Sequence, residues 1–334
     1  MYTRPSKGER TILVHVKATS HHALDFDPEE FALLAEGSGA QVLDEITFNL
    51  RRCDPKFLIS TGHIESLALL VQEHKADLIL LDHPLSPSQE RNIEKAIHTR
   101  VLDRTGLILD IFAKRARSYE GKLQVELAQL RYHATRLIRG WTHLERQRGG
   151  AIGLTGPGET QLELDRRLIR NRIKLIKQRL DKVAKQRALS RQKRHKSNIS
   201  SIALVGYTNA GKSTLFEALT GRDIYIADQL FATLDTTMSH FYAKDLGKLV
   251  LVDTVGFIKN LPHELVQAFR ATLDETIEAD LLLHVIDYQN EHQQNCVVEV
   301  EKVLKDIGAK APIVQVFNKA DGHKDEHTRM VYNS

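Results

Sequence analysis

Cysteine is scarce in this sequence, which has only two in 334 residues. Cys53 and Cys296 lie far apart and show no CxxC spacing, so neither a disulfide framework nor a structural zinc site is expected. Long apolar runs are also missing, because none approaches the roughly 18 to 20 residues that cross a bilayer. The first twenty residues show no secretory signal pattern. We therefore expect a cytoplasmic protein without a membrane span.

The length favours more than one domain, because compact domains commonly have about 100 to 200 residues. Over residues 1–112, short β-rich runs alternate with helical patterns, which predicts a small α/β domain. The predicted strands are ILVHV, QVLDEITF, KFLIS and LILLD, and the predicted helices lie near residues 28–35, 64–74 and 86–98, with Ser86 as a helix cap. No nucleophile, paired-carboxylate or metal constellation stands out here. An ATPase in this domain remains an alternative without a supporting motif.

Residues 113–197 have a different pattern, because apolar residues recur there at alternating spacings of three and four. Such heptad spacing predicts two helices, which we expect to form an antiparallel hairpin. The apolar positions are Leu123, Leu127, Leu130, Ala134, Leu137, Trp141 and Leu144 in the first helix, and Ile169, Ile173, Ile176, Leu180 and Val183 in the second. The glycine-rich segment 149–160 between them would be the hairpin tip. Glycine content alone is equally compatible with a flexible linker.

Positive charge is concentrated in the second of these predicted helices. Residues 166–197 contain fourteen lysines or arginines and one acid, Asp181, a net charge of +13 in a chain whose total is +4. A run of charge on a helix usually means a solvated face, but self-repulsion of this size favours a polyanionic partner. We expect RNA to be that partner.

Residues 198–334 contain a phosphate-binding loop near their start. We expect these residues to form a doubly wound GTPase domain. An apolar strand leads into GYTNAGKST, which matches G-x-x-x-x-G-K-[ST] and continues as a helical pattern. In such a loop backbone N–H groups face the phosphates, the lysine reaches the β and γ oxygens, and the serine hydroxyl ligates Mg²⁺. The expected contacts are Gly206, Tyr207, Thr208, Asn209, Ala210, Gly211, Lys212, Ser213 and Thr214.

Two further motifs complete a guanine-nucleotide site. DTVG ends one predicted strand, where its acid can hold a magnesium-bound water and its glycine N–H can meet the γ-phosphate. NKAD ends another, and its aspartate can accept two guanine N–H groups, which adenine cannot supply. The expected residues are Asp253, Thr254, Val255, Gly256, Asn318, Lys319, Ala320 and Asp321. The three motifs together predict binding of GTP and GDP rather than ATP.

The threonine-rich connector between the first two motifs predicts a switch loop. Thr233 is the expected second magnesium ligand beside Ser213, with Thr236 and Thr237 as competing candidates. The nucleotide-contacting stretch of this connector is expected to be Phe231, Ala232, Thr233, Leu234 and Asp235.

Several longer motifs resemble those of the HflX family of ribosome-associated GTPases over essentially the whole chain. They are DRTGLILDIFAKRA, EGKLQVELAQL, GPGETQLE followed by DRRL, GYTNAGKSTLF, LFATLD, DTVGFI, LPHELVQAF and NKAD. The resemblance implies binding to the large ribosomal subunit and GTP-linked dissociation of stalled or idle ribosomes. It also implies that Thr233 joins Ser213 at magnesium, and that the basic hairpin contacts rRNA with its tip toward the peptidyl-transferase region.

The sequence departs from the family pattern in two places. Thr155 stands where the family usually has arginine, and the chain ends before the family's serine-alanine loop that supports guanine. The first departure puts one phosphate contact of the glycine-rich loop in doubt. Because of the second, we expect weakened nucleotide affinity and stability.

The residues expected to act in hydrolysis are Lys212, Thr233, Gly256 and Asn209. Phe257 follows DTVG, and an apolar ring cannot orient the attacking water as a glutamine would, so hydrolysis should be slow unless the ribosome stimulates it. Asn209 resembles the asparagine that ligates K⁺ in potassium-stimulated GTPases. A monomer is expected. The alternative is a GTP-regulated RNA-binding module with negligible hydrolysis.

Overall fold

The computed structural model describes residues 8–18, 27–50, 52–140, 161–196, 199–221, 230–244, 247–259 and 270–320. The predicted hairpin tip at 149–160 and Asp321 lie outside these ranges. The chain forms two compact units. The first comprises Met1–Lys114 and Glu126–Gln178, and the second comprises Arg115–Val125 and Arg179–Ser334.

The first unit contains a four-stranded parallel sheet in the order β2-β1-β3-β4. Its strands are β1 (Arg10–Ala18), β2 (Gln41–Leu50), β3 (Leu78–Asp82) and β4 (Arg100–Asp103). Its helices are α1 (Pro28–Ser38), α2 (Thr61–His74), α3 (Pro87–Ile97) and α4 (Arg104–Arg115). The predicted α/β class is confirmed. Ser86 caps α3 as expected, in a reciprocal capping box with Gln89.

The predicted strand KFLIS is wrong. Residues 54–58 form a tight turn instead, because Asp54 Oδ1 accepts the backbone N–H groups of Lys56 and Phe57 at 2.7 and 2.8 Å. The next residues lead into α2, whose N-cap is Ser60. A short polar side chain that captures nearby N–H groups competes with sheet pairing. β4 and α4, which the sequence reading did not assign, complete this unit instead.

Two long helices form the middle of the chain, α5 (Tyr119–Gly140) and α6 (Gln161–Lys196). All five heptad positions of α6 are buried or half-buried, with Ile176 fully buried, whereas most of its lysines and arginines are exposed. In α5, Leu123 and Leu127 are buried and Leu130 and Ala134 are half-buried; Trp141 and Leu144 lie outside the described residues. The helical middle region is confirmed, and its antiparallel hairpin stays a prediction.

The second unit contains a five-stranded sheet in the order β6-β7-β5-β8-β9, in which only the β6–β7 pair is antiparallel. Its strands are β5 (Ser201–Gly206), β6 (Thr237–Ala243), β7 (Gly247–Asp253), β8 (Leu281–Asp287) and β9 (Ile313–Asn318). The described helices are α7 (Lys212–Thr220), α8 (Arg270–Ile277) and α9 (Gln293–Ile307). The carboxyl ends of β5, β7, β8 and β9 meet at one edge, which is where doubly wound sheets bind ligands. Among the described residues, no helix combines the length and apolar character of a membrane span.

A buried ionic cluster fixes α4 to the first sheet. Arg104 donates to Asp82 Oδ1 at 2.8 Å and to the Glu30 carboxylate, and all three side chains are less than a tenth exposed. Burial opposes the charge on Arg104, but the two carboxylates outweigh it and raise its pKa. Buried carboxylates are tolerated only while this cation is present.

We predict that Arg104→Met lowers the opening free energy of the first sheet by about 3 to 5 kcal/mol, because it leaves two buried carboxylates without their cation. Hydrogen exchange of the β1 and β3 amides measures this opening separately from the second unit. Arg10→Met is the matched control, because Arg10 pairs with Asp77 on the exposed surface. Equal effects of the two substitutions would contradict the prediction.

Candidate nucleotide-binding site

The phosphate-binding loop depends on two glycines at its ends. Gly206 ends β5 with φ +152°, and a Cβ there would lie 2.3 Å from the Val285 carbonyl oxygen. Gly211 precedes α7 with φ +89°, and a Cβ there would lie 2.0 Å from Asn318 Nδ2. Only glycine satisfies both the backbone conformation and the close approach. The loop therefore delivers its N–H groups to the start of α7, where helices bind anions.

Lys212 lies inside this loop and is almost fully buried. Its Nζ donates to the Gly206 and Tyr207 carbonyl oxygens at 3.2 and 2.7 Å. Burial lowers the pKa of Lys212 to about 8, and the nearby Asp253 carboxylate opposes this only in part. A cation that is buried among backbone carbonyls is suited to meet phosphate oxygens, which would restore its usual pKa.

Three oxygen-bearing side chains meet beside the loop. Ser213 Oγ lies 2.7 Å from Asp253 Oδ2 and 2.7 Å from Thr233 Oγ1. Ser213 donates to the Asp253 carboxylate, and the Thr233 side chain also hydrogen-bonds Asp253. Burial raises the pKa of Asp253, whose Oδ1 is buried with no hydrogen-bond partner among the described residues. Hydroxyl and carboxylate oxygens are the ligands that Mg²⁺ prefers, so this arrangement fits a magnesium ion.

The DTVG motif crosses directly beneath the loop. Gly256 allows this approach, because a Cβ there would lie 2.8 Å from Thr208 Cα and 3.0 Å from Lys212 Nζ. Phe257 pairs with the loop through its backbone, donating to Gly206 O at 3.1 Å and accepting from Thr208 N at 2.8 Å. Its ring is buried in the core of the second unit, so it offers no polar group to a water molecule.

The NKAD motif is attached to both the loop and the sheet. Asn318 Nδ2 donates to the Ala210 carbonyl oxygen at 2.9 Å, and Lys319 Nζ pairs with Asp287 Oδ2 at 2.8 Å. These bonds join the end of β9 to the loop and to the end of β8. Asp321, the expected guanine reader, lies outside the described residues.

The structure brings eleven of the twenty-two expected nucleotide-contacting residues to one cleft. It is lined by Thr208, Asn209, Gly211, Lys212, Ser213, Thr214, Phe231, Ala232, Thr233, Thr254 and Gly256. Asp253 lies beneath Ser213, and Leu234 is buried. The Asp235 carboxylate instead accepts hydrogen bonds from Arg117 and Ser118. Thr236 contacts Arg187 and Thr237 begins β6, so neither takes the place of Thr233 beside Ser213.

Sequence reasoning missed several supporting residues. Asp287 ends the strand LLLHVID, and its position at a strand end was a usable signal for a partner of Lys319. Asp280 accepts from the Ser201 N–H and hydroxyl at 2.7 and 3.1 Å and fixes the start of β5. The Ser118–Asp235 contact joins residues 117 positions apart, and no spacing pattern indicates it.

The fold and the site together define a P-loop GTPase. Three family models match consecutive parts of the chain: GTP-binding GTPase N-terminal over residues 27–113, GTP-binding GTPase Middle Region over 115–194, and 50S ribosome-binding GTPase over 201–319. Since relatives with high identity cover nearly all of it, the chain belongs to the HflX family of GTPases. It binds guanine nucleotide and hydrolyses GTP.

The similar proteins include two curated relatives and one solved structure. GTPase HflX of Escherichia coli (strain K12) is 53% identical over 99% of this chain and 77% of its own length. GTPase HflX of Caldanaerobacter subterraneus subsp. tengcongensis is 48% identical over 94% of this chain and 73% of its own. The crystal structure of SsGBP in complex with GDP is 27% identical, with a TM-score of 0.51, over 94% of this chain and 84% of that one.

We predict that nucleotide binding takes up a proton at alkaline pH. Because burial lowers the pKa of Lys212 to about 8 and phosphates beside it would raise the pKa again, GDP binding at pH 8.5 should take up a measurable fraction of a proton. The association constant should then fall as pH rises above 8. Calorimetry in buffers of different ionisation enthalpy measures the uptake. Lys212→Arg is the control, since arginine stays protonated, and equal uptake in this variant would contradict the assignment.

Proposed function

We propose that this chain is a cytoplasmic, monomeric GTPase that binds the large ribosomal subunit and separates stalled or idle ribosomes. Its GTP would lie against residues 206–214, with the guanine read by Asp321. The observation that carries the ribosome proposal is the exposed positive surface of α6. The match to a family described as a 50S ribosome-binding GTPase supports it.

The basic surface of α6 is well suited to an RNA backbone. Eight lysines and arginines are exposed on consecutive turns of the helix: Arg167, Arg170, Arg172, Lys174, Lys177, Arg179, Lys182 and Lys185. The apolar heptad positions of the same helix are buried or half-buried, whereas these eight charged side chains are exposed to solvent. Phosphate contacts of lysine and arginine release counterions and make binding dependent on salt. This surface would supply affinity for rRNA without reading its sequence.

Each residue of the site would have a separate role in hydrolysis. Lys212 would reach the β- and γ-phosphate oxygens, Ser213 and Thr233 would ligate Mg²⁺, and the Gly256 N–H would meet the γ-phosphate. Mg²⁺, when bound, neutralises charge that develops on those oxygens. Asp253 would hold a metal-bound water from its buried position.

Intrinsic hydrolysis should be slow. The Phe257 ring is buried in the core and cannot orient a water molecule, and no other group in the described cleft replaces a glutamine at that position. We infer that the ribosome completes the catalytic arrangement. Fast hydrolysis would then occur only in the ribosome-bound state.

A monovalent cation would supply further positive charge beside the phosphates, and Asn209 would be its ligand. Asn209 lies in the cleft with φ +61°, which glycine also adopts without strain. We predict faster GTP hydrolysis in KCl than in NaCl at equal ionic strength, and loss of this difference in Asn209→Gly, which removes the side-chain oxygen. The rate of phosphate release in each salt, for the unaltered chain and for Asn209→Gly, measures both effects. Identical rates in the two salts for the unaltered chain would exclude the role.

We predict that the triple variant Lys174→Glu, Lys177→Glu and Lys182→Glu loses most of its affinity for large ribosomal subunits. The salt dependence of binding should also fall, by up to about three units of slope in log K against log salt. Co-sedimentation with purified subunits over a salt series, in GTP and in GDP, measures both. Subunit-stimulated GTP hydrolysis should fall in parallel, while basal hydrolysis stays unchanged.

The matched control is Lys302→Glu, Lys305→Glu and Lys310→Glu, which reverses three exposed charges in and after α9. Both triple variants have the same net charge. Equal loss of binding in the two would show that net charge alone matters, and would sink the proposal that α6 is the rRNA surface. Stimulated hydrolysis without ribosome splitting, seen by sucrose gradient, would refute the splitting role alone.

A further inference from the structure

The switch segment 230–236 is held by residues that come more than a hundred positions earlier in the chain. Arg115 Nη1 donates to the Leu230 carbonyl oxygen at the start of this segment. Near its end, Asp235 Oδ2 accepts the backbone N–H groups of Arg117 and Ser118 at 2.8 and 2.7 Å. Asp235 Oδ1 accepts the Ser118 hydroxyl at 2.5 Å. Both ends of the segment are therefore anchored within the second unit.

The Asp235 carboxylate lies at the start of α5, where it accepts the N–H groups of the two residues that precede the helix. The first N–H groups of a helix have no partner within the helix, and negative charge is stabilised there. Ser118 itself caps α5, because its hydroxyl accepts the Gly121 N–H at 2.8 Å while it donates to Asp235. The helix cap and the switch segment thus share one hydrogen-bonded unit.

Gly121 lies directly against this contact. A Cβ at Gly121 would lie 2.1 Å from Asp235 Oδ1 and 3.0 Å from Ser118 Oγ. Glycine within a helix costs about 1 kcal/mol relative to alanine. Here glycine stands in the first turn of α5 because the Asp235 carboxylate occupies the space that a methyl group would need.

Arg187 adds a second connection beside the first. Its Nη2 pairs with Glu120 Oε2 at 2.7 Å and lies 3.5 Å from Thr236 Oγ1. Arg187 belongs to α6, whereas Glu120 belongs to the first turn of α5. The end of the switch segment is therefore in contact with both helices of the middle region within the second unit.

The same segment also contacts the phosphate-binding loop. Thr233 Oγ1 lies 2.7 Å from Ser213 Oγ, and only the buried Leu234 separates Thr233 from Asp235. We propose that Asp235 is a positioning residue for GTP hydrolysis: by binding the start of α5, it holds Thr233 where it can ligate magnesium. This rests on the magnesium role of Thr233 in the proposed function.

The coupling acts in both directions, because two events that favour one conformation favour each other. Magnesium and GTP would hold Thr233 and so keep Asp235 on the α5 cap. Conversely, a disturbed cap would release Thr233. The hydrogen bonds at the start of α5 would then depend on which nucleotide is bound.

The test uses Gly121→Ala, which adds one methyl group against Asp235 and substitutes no residue of the nucleotide site. We expect the Mg²⁺ concentration that half-saturates binding of a fluorescent, non-hydrolysable GTP analogue to rise at least about fivefold. Affinity for the same analogue in EDTA should stay unchanged, because the phosphate-binding loop is untouched. Gly62→Ala, in the first turn of α2 with open space around its Cβ, is the control and should change neither value.

Hydrogen exchange gives a second readout that does not depend on activity. The Arg117 and Ser118 amides should exchange more slowly with the GTP analogue and Mg²⁺ than with GDP. Asp235→Asn, which keeps the size of the side chain but removes its charge and one acceptor, should abolish this difference. Unchanged protection in Asp235→Asn would overturn the proposal.

Thr233→Ala separates this proposal from the one on which it rests. Suppose that Thr233→Ala raises the Mg²⁺ concentration that half-saturates analogue binding, while Gly121→Ala leaves it unchanged. This result would overturn the positioning role of Asp235 but not the magnesium role of Thr233. A normal requirement in Thr233→Ala would overturn the magnesium role itself, whatever Gly121→Ala does.

Discussion

The hydrogen bond between Thr233 and Ser213 is the contact on which the nucleotide site depends. It joins a switch segment to the start of α7, and Ser213 joins both to Asp253 at the end of β7. Because β5 and β7 are neighbours in the sheet, the loop after one and the acid ending the other lie side by side. The oxygen cluster is therefore a direct consequence of strand order. A different neighbour for β5 would leave Ser213 without its carboxylate.

The parts of this site that sequence predicted are those in which chemistry and backbone geometry fall within a few residues. The roles of Gly206 and Gly211 could be predicted because a loop that curls around phosphate needs glycine at both ends, and a helix follows directly. DTVG and NKAD are readable because each ends an apolar strand, and parallel strands place such ends at one edge. KFLIS failed for the opposite reason, since its outcome depends on which N–H groups Asp54 captures rather than on the period of the apolar residues.

Contacts between distant segments were beyond prediction from sequence. Nothing near Asp235 indicates that its carboxylate binds the start of a helix 117 residues earlier, and Gly121 gives only the weak signal of a glycine inside a helical pattern. The Arg104 cluster is similar, because its three residues come from α1, β3 and α4, and their pairing depends on how these elements pack. Such contacts are set by tertiary structure, which the spacing of residues along one element does not contain.

The buried charges of the nucleotide site explain why nucleotide should also stabilise the fold. Burial lowers the pKa of Lys212 to about 8 and raises the pKa of Asp253. The attraction between the two charges therefore offsets only part of the free energy that burying them costs. His284, buried nearby in β8, remains neutral, because burial and then the charge of Lys212 lower its pKa to about 4. Phosphate beside Lys212 and a cation beside Asp253 relieve both costs at once. A ligand that binds only the folded state stabilises it by mass action, so the site that defines the function also supports the domain that carries it.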